Sequence, residues 1–236
     1  MENERTLGNR FLLNRDREKL LEMLKQMGAS VENMILMSLR CLKERNDALA
    51  HQVIRNDDIV DEHEVTIEQE CLRIIGVRHP VREELRFFFS VLKIITDLER
   101  MADESCNIAR HALELNQEPL LKPLIDVPRM ASLCVEMLRD TLRSFEDNDP
   151  ELAKKVFLQD HEVDILYDQV TDELFLIISR DGVTSENRAR RATLLQMVAR
   201  NLERIGDHAA NISERSFFMS TGKQIKRELP PWTEGK

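Results

Sequence analysis

Glycine and proline are scarce in this chain, at seven each among 236 residues, and aromatic side chains make up only 5% of it. With few residues that break a helix, and with Leu, Glu, Arg, Ala and Lys recurring throughout, long helical stretches are expected. Positive charge is also short. A net charge of −9 argues against a general nucleic-acid binder, which needs surplus Lys and Arg to neutralise phosphates. The strip Arg188, Arg190 and Arg191 reads first as a solvated helix face and second as a local anion contact. No apolar run approaches the ~18 residues that cross a bilayer; the greasiest stretch, Phe87 to Leu92, is halted by Lys93. Met1-Glu2-Asn3-Glu4-Arg5 lacks the apolar segment of a secretory signal. Cys41, Cys71, Cys106 and Cys134 form no CxxC pair and each lies inside a helical pattern. Reduced thiols, a cytoplasmic location and no membrane insertion are the expectation. Gly-x-Ser-x-Gly, Walker and dinucleotide-binding motifs are all missing, so a conventional enzyme is not expected.

What is present builds a core. Hydrophobic residues are 42% of the chain and charged ones 33%, a balance that fits amphipathic helices rather than a disordered acidic chain. Six helices are expected. The first, from about Thr6 to Glu44, carries a stripe through Leu20, Leu24, Met27, Val31, Met34, Ile35, Leu39 and Leu42, in steps of three and four. A second starts after Asp47 as N-cap and runs to about Gly76, where His79-Pro80 breaks it. A third carries Phe88, Val91, Ile95, Leu98, Ala102, Ala109 and Leu113. Pro119, Pro123 and Pro128 mark a linker from Glu118 to Pro128. A fourth helix follows from Pro128 to Glu146. The fifth opens on Asp149-Pro150 and closes at Asp181-Gly182, and the sixth spans about Ser185 to Thr221. The tail from Gly222, with Pro230-Pro231-Trp232, is expected to be irregular, and Phe217-Phe218-Met219 either completes the second core or marks a contact surface.

The pattern repeats. Asp97-Leu98-Glu99-Arg100-Met101-Ala102-Asp103 parallels Asn201-Leu202-Glu203-Arg204-Ile205-Gly206-Asp207, and Asn107-Ile108 parallels Asn211-Ile212, at a spacing of 104 residues. Ala50, Val53, Asp57, Val60 and Asp61 match Ala153, Val156, Asp160, Val163 and Asp164 at a spacing of 103. Repetition at nearly one register across three helices points to duplication. The expected fold is all-α: two tandem three-helix bundles, residues 1–118 and 119–236, related by an internal pseudo-two-fold.

Each half also carries two carboxylate pairs spaced i, i+4, a spacing that puts both members on one helix face. They are Asp57/Asp61 with Glu99/Asp103, and Asp160/Asp164 with Glu203/Asp207. Across an antiparallel hairpin, Asp57 with Asp103 and Asp61 with Glu99 are each centred on Pro80, in the first break. The second set is centred in the loop between Asp181 and Ser185. At ~1.5 Å rise per residue, all four acids of a half fall about 28–35 Å from the hairpin tip. Converging carboxylates call for a counter-cation, and oxygen donors favour Mg, Mn or Fe over a thiolate-bound Zn site. Asn107 and Asn211, one turn on, would add carbonyl ligands or orient water. The competing reading is that Arg100, Arg204 and nearby lysines neutralise these acids as ordinary ion pairs.

The twin motifs Leu98-Glu99-Arg100-Met101-Ala102-Asp103…Asn107-Ile108 and Leu202-Glu203-Arg204-Ile205-Gly206-Asp207-His208…Asn211-Ile212 resemble the signature of the PhoU family. Asp57…Asp61 and Asp160…Asp164 resemble its acidic E/D-x-x-x-D motifs. The one departure is Met101-Ala102, where the second copy has the more typical Ile205-Gly206. The resemblance implies metal ions, of Fe, Mn, Mg or Zn, at the paired motifs. It also implies a regulator of phosphate uptake that restrains the phosphate-specific ABC transporter, through its ATPase subunit, and a phosphate-sensing histidine kinase when phosphate is plentiful. A homodimer is a further expectation. Rival readings are a metal-free helical adaptor, a ferritin-like di-iron enzyme and a phosphotransfer module using His111. The di-iron site needs Glu-x-x-His, and no histidine here has Glu three residues before it.

Overall fold

A computed structural model describes residues 2–179 and 186–228, and every element among them is an α-helix. The first half comprises α1 (Glu2–Lys43), α2 (Asp47–Arg78) and α3 (Glu83–Leu115). The second comprises α4 (Asp126–Glu146), α5 (Pro150–Ser179) and α6 (Glu186–Thr221), followed by the single turn α7 (Ile225–Glu228). The expected stop at Asp181-Gly182, the start at Ser185 and the Pro230-Pro231-Trp232 tail lie outside the described residues.

Within each half the three helices touch pairwise, α1–α2–α3 and α4–α5–α6. Between the halves α3 packs along α6, and α1 along α4. The four helices α1, α3, α6 and α4 therefore close a ring, with α2 laid on α1 and α3, and α5 laid on α4 and α6. Side chains from all six long helices merge into one continuous apolar core, from Leu20, Met27 and Phe88 in the first half to Cys134, Val163 and Leu202 in the second. The linker is fastened to this core rather than loose. Leu121 and Leu124 pack on it, and buried Lys122 is bonded to Glu173 of α5.

The duplication extends to the turns. After α1, Glu44 N–H bonds Arg40 O at 2.8 Å and Asn46 N–H bonds Cys41 O at 2.9 Å, around Arg45 at φ 53°. After α4, Asp147 N–H bonds Arg143 O at 2.9 Å and Asp149 N–H bonds Ser144 O at 2.9 Å, around Asn148 at φ 56°. Such bonds use carbonyls that the helix end leaves unpaired. The side chain that closes each turn then caps the next helix. Asn46 Oδ1 accepts from Ala48 and Leu49 N–H, and Asp149 Oδ1 from Glu151 and Leu152 N–H.

Several boundaries differ from expectation for definable reasons. The cap of α2 is Asn46, and Asp47 is its first residue; both types can cap, and only Asn46 lies where its oxygen meets the free N–H groups. The helix continues past Gly76 until His79 turns left-handed at φ 51°. Helix α4 begins before Pro128, since proline in a first turn forfeits only an N–H that has no intrahelical partner. Beyond Gly222, whose φ of 73° ends α6, the chain forms α7, because Ile225 is buried against Phe217, Ala153 and Phe157. Phe217 and Met219 are buried too, while Phe218 stays half-exposed, edge-on to Phe89 at 6.4 Å.

The matched caps predict matched losses. Asn46→Ala and Asp149→Ala should each cost about 1 kcal/mol, lowering Tm by about 2–4 °C per kcal/mol in a chain of this size. Scanning calorimetry on the two variants checks this; a loss in one half only would contradict the shared construction.

Candidate functional site

The motif acids stand where α2 meets α3 and where α5 meets α6. On α3, Glu99 and Asp103 lie about 200–240° around the helix from Asp97, at 100° per residue, so one face holds the motif acids and the opposite face holds Asp97 and Glu104. The same holds on α6 for Glu203 and Asp207 against Asn201 and His208.

In the first half the acids share one electrostatic environment. Burial, with the charges of Asp103 and Asp61 added, raises the Asp57 carboxyl above its usual range, and a hydrogen bond with the Cys106 thiol pulls against that rise. Glu99 is pushed up to about 7, first by burial and then by Asp103, Glu64 and Asp61. In the second half Asp160 is likewise pushed to about 7, by burial and then by Asp207, Asp164 and Glu203. Asp164 and Glu203 are raised by burial and by Asp207. Each set is thus mutually repulsive and partly withdrawn from water. Among the described residues, no three His, Cys, Asp or Glu side chains already form a metal cage.

Arginines compensate only part of this charge. Arg200 Nη1 reaches Glu203 Oε1 at 2.6 Å, and Arg100 Nε stands 3.6 Å from Glu99. Arg204 turns instead to Glu104, at 2.9 Å. Two buried oxygens of the second set, Asp160 Oδ1 and Glu203 Oε2, accept no hydrogen bond. Beside Asp160 the missing side chain of Gly206 permits a close approach: a Cβ there would stand only 3.1 Å from Asp160 Oδ1 and 3.2 Å from Val163 Cγ1. An all-oxygen donor set, unpartnered oxygens and a backbone cradle fit a hard cation.

The asparagines go elsewhere. Asn107 Oδ1 accepts from Arg110 at 2.8 Å and its amide leans to Glu104 at 3.4 Å, while Asn211 Nδ2 points to Asp97 at 3.4 Å. His208, one residue past Asp207, also turns away, placing Nδ1 3.0 Å from Asp97 Oδ1.

These contacts form a reciprocal clasp between the halves that sequence reading missed. Glu104 on α3, 4% exposed, receives Asn201 and Arg204 from α6. Asp97 on α3 receives His208 and Asn211 from α6. Asp97 and Asn201 are equivalent in the repeat, as are Glu104 and His208, so each pair is the other's pseudo-symmetric counterpart with changed chemistry. The detectable signal was that spacing of 104 on the face opposite the motif acids.

The repeat and its acid pairs are matched by a known domain: the PhoU domain occurs over residues 24–112 and again over 127–216. The chain belongs to the PhoU family. A PhoU homolog 2 from Thermotoga maritima, named a phosphate-specific transport system accessory protein, is 36% identical over 215 residues, 91% of this chain and 90% of that protein. An accessory protein of the same kind from Aquifex aeolicus is 38% identical over 216 residues, 92% of this chain and 96% of its own length. The crystal structure of PhoU from Pseudomonas aeruginosa agrees at a TM-score of 0.83 with 32% identity, over 89% of this chain and 99% of that one. A PhoU structure from Streptococcus pneumoniae shares the fold, at a TM-score of 0.80 and 24% identity, over 90% and 98% of the two chains.

The raised carboxyls carry a pH signature. Unfolded, Asp160 ionises near pH ~4; folded, it keeps its proton to about 7. Between those values the native state binds more protons, so this group's contribution to stability falls as pH rises through the window. In chelator-treated protein, Asp160→Asn should therefore raise Tm by a few degrees at pH 8 and leave it nearly unchanged at pH 4. Thermal denaturation at both pH values checks this, and a lower Tm at pH 8 would contradict it.

Proposed function

We propose that this PhoU protein regulates phosphate uptake, restraining a phosphate-specific ABC transporter and a phosphate-sensing histidine kinase when phosphate is plentiful. The observation that carries the reading is the doubled PhoU domain, together with relatives named as accessory proteins of that transport system along about nine-tenths of the chain. The partners are the transporter's ATPase subunit and the kinase, and the chain acts as a cytoplasmic homodimer rather than as an enzyme. Four buried free cysteines accord with a reducing compartment, and among the described residues no helix is long and apolar enough to cross a membrane.

Cation sites belong to the same reading. Asp160, Asp164, Glu203 and Asp207 would hold one ion site, and Asp57, Asp61, Glu99 and Asp103 the other. A bound Mg, Mn, Fe or Zn ion would neutralise the converged carboxylates and offer open positions to an oxyanion. The chain's own part is positional: the hairpins hold the acids at one height, and Arg200 keeps Glu203 oriented. Asn211 is tied to Asp97 across the α3–α6 seam and Asn107 to Glu104 and Arg110 within α3, so each would reach an ion only by releasing those bonds or through a bridging water. A metal-free adaptor is the second reading, favoured by the Arg200–Glu203 ion pair, which neutralises one of the acids without a metal.

Cells lacking the protein should accumulate more phosphate than wild type in phosphate-rich medium. Returning the intact chain should restore restraint, whereas the Asp160→Asn, Asp207→Asn double variant should not. Normal phosphate accumulation in the deletion strain would contradict the regulatory role; full rescue by the folded double variant would favour the metal-free adaptor.

A further inference from the structure

We infer that the two acid sets are unequal, and that a hard divalent cation fills the α5–α6 set before the α2–α3 set. The inference rests on the proposed cation sites and adds an order to them.

Equivalent positions differ in three ways. Asp57 and Asp160 correspond in the repeat, yet their surroundings are not alike. Beside Asp57 stands the Cys106 thiol, which gives its hydrogen to Val53 O at 3.7 Å and is close enough to act on the Asp57 carboxyl as well. The counterpart of Cys106 is Ala210, which offers no donor. The thiol that does lie near Asp160, Cys134, gives its hydrogen to Leu202 O at 3.2 Å. Asp160 Oδ1 consequently has no partner.

The second difference is Glu203. Arg200 takes one of its oxygens and leaves Oε2 buried and unpartnered. Among the described residues, no carboxylate oxygen of the α2–α3 set is both buried and unpartnered. An unpartnered buried oxygen has lost its water without gaining a donor, so a cation that pairs with it is bound the more tightly.

The third is the backbone. Gly206 lets α6 approach α5 where Asp160 Oδ1 lies, with space too tight for an unhindered Cβ. Its counterpart Ala102 is buried on α3 and already carries that Cβ. The α5–α6 set therefore has the Asp160 carboxylate close against the α6 backbone at Gly206, whereas the corresponding position on α3, Ala102, carries a methyl group.

The probe is Mn²⁺ titrated into the full chain after chelator treatment, followed by electron paramagnetic resonance and calorimetry, with circular dichroism on every variant. Wild type should show two classes of site. Asp160→Asn should remove the tighter and Asp57→Asn the weaker. Gly206→Ala should weaken the tighter class by roughly 10–100-fold, the range seen when a metal site's supporting shell is altered, and leave the weaker class in place. Ala102→Gly provides the mild change in the other half. Loss of the tighter class in Asp57→Asn, or a single class lost equally in both Asp variants, would overturn the order while leaving the cation sites standing. No binding of Mn²⁺, Mg²⁺, Fe²⁺ or Zn²⁺ by wild type would overturn the cation reading itself.

Discussion

The packing of α3 against α6 is the contact on which the rest of the molecule depends. It joins the two halves into one core, and it does so with a mixed seam: apolar Leu98, Met101 and Leu202 inside, with Glu104 and Asp97 clasping α6 through Asn201, Arg204, His208 and Asn211. Because one face of each helix is committed to this seam, the opposite face is turned to α2 or α5. That face carries the motif acids. The seam thus fixes where the carboxylates point without touching them.

The acids are held together against their own repulsion. Apolar neighbours such as Val60 and Val163 are buried beside them, and the stabilisation from that burial does not depend on the acids' charge. Removing carboxylates partly from water while placing like charges nearby raises the pKa of Glu99 and Asp160 to about 7. Such displaced values gather where chemistry or binding takes place, although structural networks produce them as well. Here the unpartnered oxygens of Asp160 and Glu203 and the close approach at Gly206 distinguish the second set from an ordinary surface ion-pair network.

Much of this was legible in the sequence because it is written in local periods. The stripes of α1 and α3, the Asp149-Pro150 start and the spacing of 103 to 104 residues all depend on neighbours a few positions apart or on simple repetition. The seam was not legible. Asp97 and Glu104 look like any exposed charges on an amphipathic helix, and nothing local states that a second helix will cover them. Asn107 and Asn211 stand one turn beyond the acids, but Asn107 bonds Arg110 and Glu104 along its own helix, and Asn211 reaches across the seam to Asp97, a contact that no local pattern announces. Gly206 was visible as a departure between repeats, though only the distance to Asp160 shows what the missing Cβ permits. The cap of α2 failed on a finer point, since Asn46 and Asp47 are chemically interchangeable as caps and geometry alone selects one.

The most direct test of the account is a crystal structure of the protein loaded with Mn²⁺, with anomalous scattering recorded near the Mn absorption edge. The account predicts anomalous peaks between α5 and α6 among Asp160, Asp164, Glu203 and Asp207, and between α2 and α3 among Asp57, Asp61, Glu99 and Asp103. Ordered protein with no peak at either set, at Mn²⁺ concentrations well above those of the protein, would contradict it.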